Sequence, residues 1–220
     1  MNINVVQGNA LDLSMYKDNT FDITLLLGPL YHLFNEDEKK KSIEEAIRVT
    51  KNNGKIFVAF ITNETAILSY CLRKGNMLKL KEICDENYKV KEPIDKVFSV
   101  NYTWDIKNMI SLFNVTLLKE IATDGISPQL ALYINQLSDE EFKIWLDYHY
   151  ATCERQDLLS YSSHILYICE KDNFIDLLNE QKSDKDFSYA ELHKRWIKKY
   201  FNYSFINLKE ELNTNNIKLL

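Results

Sequence analysis

Glycine and proline are scarce in this sequence, which has five glycines and three prolines among its 220 residues. Disordered, low-complexity chains are usually rich in these residues and poor in aromatic ones. Here aromatic residues make up 12% of the chain, so we expect a folded protein with a packed core. No Gly-x-Gly sequence occurs anywhere, and the chain therefore lacks a glycine-rich phosphate loop of the usual kind.

Cysteine pairs at metal-binding spacing are also absent. The four cysteines form no Cys-x-x-Cys pair and have no histidine neighbour at ligand spacing, which predicts reduced thiols and no metal site. The N-terminus lacks the basic start and apolar run of a signal peptide, and no window reaches the roughly 18 apolar residues of a membrane span. We therefore expect a cytoplasmic protein with no membrane partner.

A surplus of positive charge is missing as well. The chain has 27 Lys and Arg against 32 Asp and Glu, for a net charge of −5. Binding to phosphate backbones depends on Lys and Arg gathered on one surface. The charge balance therefore predicts that nucleic acid is not a partner.

The first 61 residues have the pattern of an α/β unit. Ile3–Gln7 and Phe21–Leu27 are apolar runs typical of buried parallel strands, and Lys55–Ile61 is a third such run. Asn35 with Glu38 three residues later predicts a capped helix between the second and third runs. That helix should end in a turn over residues 51–54, with Gly54 in the left-handed conformation.

The chain divides into two parts at residue 171. Residues 1–171 form the predicted α/β domain, which has later strands at Val115–Ile121 and Ser163–Cys169. A capping box at Ser138 starts a helix whose inward residues should be Phe142, Trp145, Leu146 and Tyr148. Residues 172–220 are predicted to be a helical extension that packs on the main domain or on a second subunit. Its apolar helix face should consist of Leu192, Trp196, Ile197, Tyr200 and Phe201.

Open parallel sheets bind ligands beyond the carboxyl ends of their strands. The loops that follow the predicted strands are therefore the places where functional residues should lie. These loops are Gly8–Ser14, Gly28–Leu33, Thr62–Glu64 and Ile121–Ser127.

Three of these segments carry a family resemblance. Gly8–Ser14, Asp18–Leu33 and Arg48–Phe60 resemble, in order and spacing, the middle third of an S-adenosylmethionine-dependent methyltransferase of the small-molecule type. The resemblance implies a Rossmann-like α/β fold, which is a mostly parallel sheet with flanking helices, here N-terminally truncated and followed by a helical C-terminal extension. It also implies S-adenosylmethionine as cofactor and a small molecule as methyl acceptor.

The resemblance assigns roles to nine residues. Asn9 and Ala10 would contact the adenine, Gly28, Pro29 and Leu30 would line the cofactor, and His32 would act as a base. Tyr31, Tyr148 and His149 would contact the substrate. Other roles stay open: Asn9 as a turn residue, His32 as a hydrogen-bonded residue at a helix start, and Tyr148 and His149 as core residues.

Half of the family's cofactor site has no counterpart in this chain. Family members carry a glycine-rich loop and an acidic residue that binds the ribose before the matching segments, so we expect impaired methyl transfer here. The alternative is a non-catalytic, methyltransferase-like module that acts in binding or dimerisation.

The family's sheet has two further strands between the ones that match Ile3–Gln7 and Phe21–Leu27, and three outcomes are open for this gap. Ile3–Gln7 pairs directly with Phe21–Leu27, another chain or the extension fills the gap, or an edge of the sheet stays exposed. A homodimer would follow from the second outcome.

Overall fold

The computed structural model describes residues 5–91 and 97–173. Within these ranges the strands are β1 (Phe21–Leu26), β2 (Thr50–Ile61), β3 (Val115–Ala122) and β4 (His164–Lys171). The α-helices are α1 (Pro29–His32), α2 (Glu36–Val49), α3 (Asn63–Thr65), α4 (Leu80–Ile83), α5 (Thr103–Ile110), α6 (Ala131–Ile134) and α7 (Asp139–Thr152). A π-helix spans Ala66–Arg73, and 3-10 helices span Met77–Lys79 and Leu159–Tyr161.

The four strands form one sheet in the order β1-β2-β4-β3. β1 and β2 are parallel, and β4 is antiparallel to both of its neighbours. Three strands therefore run in one direction and β4 in the other. This is the predicted Rossmann-like α/β fold, and the strand–helix–strand unit of residues 21–61 is confirmed, because α2 provides the crossover that parallel pairing needs.

Helix α2 begins at the predicted cap. The side-chain oxygen of Asn35 accepts a hydrogen bond from the backbone N–H of Asp37 at 2.8 Å. Ile43, Ala46 and Val49 are at most 1% exposed. The apolar stripe of α2 therefore packs against the sheet.

One face of the sheet carries the core. Its buried side chains alternate along β2 and β4 and pack with residues of α5; they are Ile56, Val58, Phe60, Ile165, Tyr167, Cys169, Ile106, Met109 and Ile110. The Tyr167 hydroxyl donates a hydrogen bond to the Thr103 carbonyl at 3.0 Å, and the Phe60 ring meets the Tyr167 ring edge-on at 5.0 Å. Helices α2 and α5 therefore cover the same face.

The opposite face is left largely uncovered by the described residues. We call it the open face. Its apolar residues are Ile23, Leu25, Leu27, Phe57, Ala59, Ile121, Leu166 and Ile168, and the charged residues Lys55, Lys119 and Glu170 lie on the same face. Ile23 is 56% and Leu25 61% exposed. Even on the central strands β2 and β4, open-face residues are only half-buried, whereas their core-facing neighbours are buried.

The predicted strand at Ile3–Gln7 is wrong for the residues that are described. Ile3 lies outside the described ranges, and Val5–Gln7 adopts no strand conformation, with Val5 86% exposed. A buried strand forms only when a neighbour satisfies its backbone groups. Among the described strands β1 pairs with β2 alone, so Val5–Gln7 does not pair with β1. The other two outcomes for this edge stay predictions.

The predicted turn at residues 51–54 is an irregularity within β2, where the pairing with β1 shifts register, and its glycine serves a different purpose from the one predicted. Asn53, rather than Gly54, adopts the left-handed conformation, with a φ of 60°. A Cβ atom added to Gly54 would lie 2.8 Å from the Lys51 carbonyl oxygen and 2.9 Å from that of Asp22. Gly54 is therefore needed for the close approach of backbones.

Helix α7 has the predicted capping box between Ser138 and Glu141. The prediction of inward residues is wrong in part, because no residue of α7 is buried and Phe142 and Tyr148 are 42% and 50% exposed. The helix lies over a pocket rather than over the core, which explains this exposure.

The C-terminal extension lies outside the described residues from position 174 onward, and its predicted apolar helix face with it. Among the helices of the described ranges, none has the length and apolar character needed to cross a membrane.

Candidate functional site

The candidate site lies at the carboxyl edge of the sheet. β1, β2 and β3 all end there, and β4 begins there, because His164 pairs with Ile61 at the end of β2. The structure thus brings three of the predicted loops to one edge: Gly28–Leu33, Thr62–Glu64 and Ile121–Ser127.

The segment after β1 turns directly into α1. Gly28 is the N-cap residue and Pro29 stands in the first helical turn, where its missing N–H costs no hydrogen bond. The nearest atom to a Cβ added at Gly28 would be the Tyr31 hydroxyl oxygen, at 3.6 Å. Leu30 is fully buried in the core. The role of Leu30 in lining the cofactor stays a prediction.

Tyr31 and His32 form an aromatic cluster with Phe98. The ring centroids of Tyr31 and His32 are 4.8 Å apart, and those of His32 and Phe98 are 5.5 Å apart. His32 Nδ1 lies 3.2 Å from the Val97 carbonyl oxygen. When Nδ1 donates this hydrogen bond, Nε2 is left as an acceptor, which is the form that a general base requires.

Lys39 fixes the segment that carries Phe98. Its side chain is 4% exposed, and its ammonium group donates to Ser99 Oγ at 2.7 Å and to Asn101 Oδ1 at 2.8 Å. Burial lowers the pKa of Lys39. The Ser99 N–H in turn donates to the Tyr31 carbonyl at 2.8 Å. These polar contacts therefore fix the segment of Phe98 and Ser99 beside Tyr31 and His32.

Asn9 makes a local turn. Its side-chain oxygen accepts a hydrogen bond from Leu11 N–H at 3.0 Å, and its carbonyl accepts from Asp12 N–H at 3.0 Å. The side chain of Asn9 is exposed and that of Ala10 is half-buried. Among the described residues, no hydrogen bond joins Asn9 or Ala10 to the Gly28–His32 segment. The turn role is thus observed, and the adenine role stays a prediction.

Arg48 binds the segment that connects this turn to β1 through hydrogen bonds. Its guanidinium donates to both carboxylate oxygens of Glu45 at 2.9 Å, and to the carbonyls of Leu13 and Tyr16 and the carboxylate of Asp18. Glu45 also accepts the Leu13 N–H at 2.8 Å. Hydrogen bonds from Arg48, opposed by burial, lower the pKa of Glu45 to about 2.

Tyr148 and His149 line a pocket beneath α7, together with Trp145, Gly125 and Tyr161. The cavity has a volume of about 90 Å³. Gly125 has a φ of 52°, and a Cβ atom there would lie 3.1 Å from His149 Nδ1. The pocket and the Tyr31–His32 cluster remain two separate groups, because no ring contact or hydrogen bond within the described ranges joins them.

Sequence reasoning missed a polar cluster at the same edge. Asp124 Oδ2 accepts from His164 Nδ1 at 2.8 Å, while Asp124 Oδ1 accepts from the His164 N–H and from the Ser162 hydroxyl. The hydrogen bond to Asp124 raises the pKa of His164. Burial alone would raise the pKa of Asp124, but the hydrogen bonds from His164 and Ser162 have the larger effect, and the pKa of Asp124 is lowered. The positions of Asp124 just after β3 and His164 at the start of β4 were the available signal.

Comparisons with known proteins bear on the N-terminal part. A family model described as a methyltransferase domain matches residues 1–58. This segment is therefore similar in sequence to part of a methyltransferase domain. The match contains Asn9, Ala10 and the segment Gly28–His32, but neither Tyr148 and His149 nor the Asp124–His164 pair. Roles for the residues outside the methyltransferase segment gain no support from it.

Solved structures similar to this chain include methyltransferases of low identity. The PH0226 protein of Pyrococcus horikoshii is 14% identical, with a TM-score of 0.44, over 78% of this chain and 60% of its own. A SAM-dependent methyltransferase of Thermotoga maritima, described as a possible histamine N-methyltransferase, is also 14% identical, with a TM-score of 0.44, over 77% of this chain and 65% of its own. The chain thus spans less than two thirds of the length of these two proteins. No curated protein matches it.

Within residues 5–91 and 97–173, no group of three or more His, Cys, Asp or Glu residues is placed to hold a metal ion.

Proposed function

We propose that the function of this chain is S-adenosylmethionine-dependent methyl transfer to a small-molecule acceptor, and that this activity is impaired in the chain. The match of residues 1–58 to the methyltransferase domain carries the proposal. It does not favour the alternative of a non-catalytic module. The net charge of −5 supports a small molecule over nucleic acid as the acceptor.

The cofactor supplies an electrophilic methyl group on a sulfonium, so a protein needs to provide mainly alignment and electrostatics. The residues of this chain fit only part of such a molecule. Asn9 presents an exposed carboxamide, and the backbone after β1 is open beside Gly28. The sequence contains no Gly-x-Gly loop that could bind the charged end of the cofactor. The chain alone does not fit the whole cofactor, which supports impairment.

The pocket beneath α7 is our candidate for the acceptor site. Its volume of about 90 Å³ is far below the several hundred Å³ of sites for drug-sized ligands, so it would accept a small group only. Tyr148 and His149 would supply polar atoms in a mainly apolar lining. Tyr31 and His32 would contact the acceptor from the side of β1, with His32 as the base.

Calorimetric titration of the full chain with S-adenosylhomocysteine tests the proposal. We expect weak binding, with a Kd above roughly 100 μM, and a further loss of affinity in Asn9→Ala and His32→Ala. Asn135→Ala, at an exposed position that is not among the residues lining the pocket, is the matched control. A Kd near 1 μM, or about −8 kcal/mol, would contradict impairment. The absence of any binding at millimolar ligand would instead favour the non-catalytic module.

A further inference from the structure

The open face of the sheet carries an apolar patch, which is bordered by the charged residues Lys55, Lys119 and Glu170. Leu25 pairs with Phe57, and Phe57 with Ile168, so that three apolar side chains lie in one row across the sheet. The next row contains Ala59, Leu166 and Ile121. A sheet face that is left in solvent usually carries polar residues, and a contiguous exposed apolar patch marks a binding surface.

We propose that residues 188–201 of the same chain pack against the open face. This inference concerns the architecture of the chain and does not depend on methyl transfer. It requires that the segment can reach the face, that its size fits, and that it offers a complementary apolar surface.

The described chain ends close to the start of β1. The Lys171 ammonium group donates to the Asn19 side chain at 2.9 Å and to the Thr50 carbonyl at 2.8 Å. Asn173 Oδ1 lies 3.4 Å from the side-chain nitrogen of Asn52. The backbone N–H of Asp172 donates to the Asn114 carbonyl at 3.1 Å, just before β3. The described chain therefore ends at the edge of the sheet where β1, β2 and β3 begin, between β2 and β3.

The connecting segment is long enough. Residues 174–187 provide 14 residues, which span up to roughly 48 Å when extended and about 20 Å as a flexible chain. A four-stranded sheet is about 15–20 Å wide, and a strand of six residues is about 20 Å long. Every position on the open face is therefore within reach of residue 188.

The segment also matches the face in size and chemistry. Residues 188–201 would be about 21 Å long as a helix, which is the length of the strands beneath it. The spacing of Leu192, Trp196, Ile197, Tyr200 and Phe201 places five large apolar side chains on one helix face. The intervening Lys194, Arg195, Lys198 and Lys199 would remain in solvent.

Hydrogen exchange measured by mass spectrometry on the full chain tests the proposal. We expect the amides of residues 188–201 to exchange at least roughly tenfold slower than unprotected amides in the parent protein. Leu25→Asp should abolish this protection, because it places a charge in the covered surface. Leu78→Asp, at a position that is 95% exposed and lies in the Met77–Lys79 helix away from the sheet, should leave it unchanged.

A reciprocal variant and a mass measurement complete the test. Trp196→Asp should increase exchange in β1 while the core strands β2 and β4 stay protected, which would show that the domain remains folded. Unprotected exchange of residues 188–201 in the parent protein, or protection that Leu25→Asp does not alter, would overturn the proposal. So would light scattering that shows a dimer which Leu25→Asp converts to a monomer with tail protection intact, since a second copy would then cover the face.

Discussion

Replacement of Glu45 by glutamine should cost most of the stability that the hydrogen bonds of Arg48 provide. The Glu45 side chain is 8% exposed and accepts two hydrogen bonds from Arg48 and one from Leu13 N–H. A fall of the carboxyl pKa from its usual 4.5 to about 2 corresponds to about 3 kcal/mol of preference for the ionised form in the folded state. We therefore expect Glu45→Gln to lower the free energy of unfolding by up to about 3 kcal/mol at pH 7.

The pH dependence of this loss provides the sharper measurement. Because folding lowers the pKa of Glu45, its contribution is present above pH 4.5 and is lost as the pH falls through about 2. Urea unfolding of the parent protein and Glu45→Gln should show a difference that falls to less than half its neutral value by about pH 3 and nearly vanishes by about pH 2.

Glu44→Gln is the matched control on the same helix. Glu44 is 55% exposed and, among the residues that the structure describes, its side chain pairs only with Lys41, so its loss should cost under about 1 kcal/mol. Equal costs for the two variants, or a difference for Glu45→Gln that does not change between pH 4.5 and 2, would refute the reasoning.

Two further predictions concern the polar cluster and the turn. Asp124→Asn should lower the pKa of His164 toward 6.5 in a nuclear magnetic resonance titration, whereas the exposed control Asp147→Asn should leave this pKa unchanged. The ion pair needs both charges. Its contribution to stability should therefore be lost as the pH falls below about 3.8, where Asp124 is protonated, and as the pH rises above about 6.5, where His164 is deprotonated. Gly54→Ala should reduce the free energy of unfolding by about 1–3 kcal/mol, because the new Cβ would lie within 3 Å of two carbonyl oxygens, while Gly28→Ala, which meets nothing closer than 3.6 Å, should cost far less.

The β1–α2–β2 unit was predictable because its signals are local. The apolar run of Phe21–Leu27, the cap at Asn35 and the stripe through Val49 each depend on residues a few positions apart, and they agree with one another. The same kind of signal at Val5–Gln7 was misleading. An apolar run can form a strand only beside a partner, and the pattern of a single segment does not show whether a partner exists.

The sequence predicted at which edge of the sheet the candidate site lies, but it did not predict the contacts within the site. Strand ends identify the carboxyl edge, so Tyr31 and His32 fall where the pattern placed them. The pairing of Asp124 with His164 joins residues far apart in the sequence, and its geometry depends on how β3 and β4 align. The half-exposed Tyr148 was misplaced because a helix with apolar residues over a pocket has the same pattern as a helix over a core.

The position of β4 has a consequence for how this chain comes to be folded. β4 is the last described strand, yet it lies between β2 and β3, and it pairs Ile56 with Cys169. During synthesis, β2 must therefore wait with one edge unpaired until almost the whole domain has left the ribosome, and contacts between residues so distant in sequence form slowly. A chain stopped before His164 would leave β3 without its partner, so the domain can complete its sheet only in one late step.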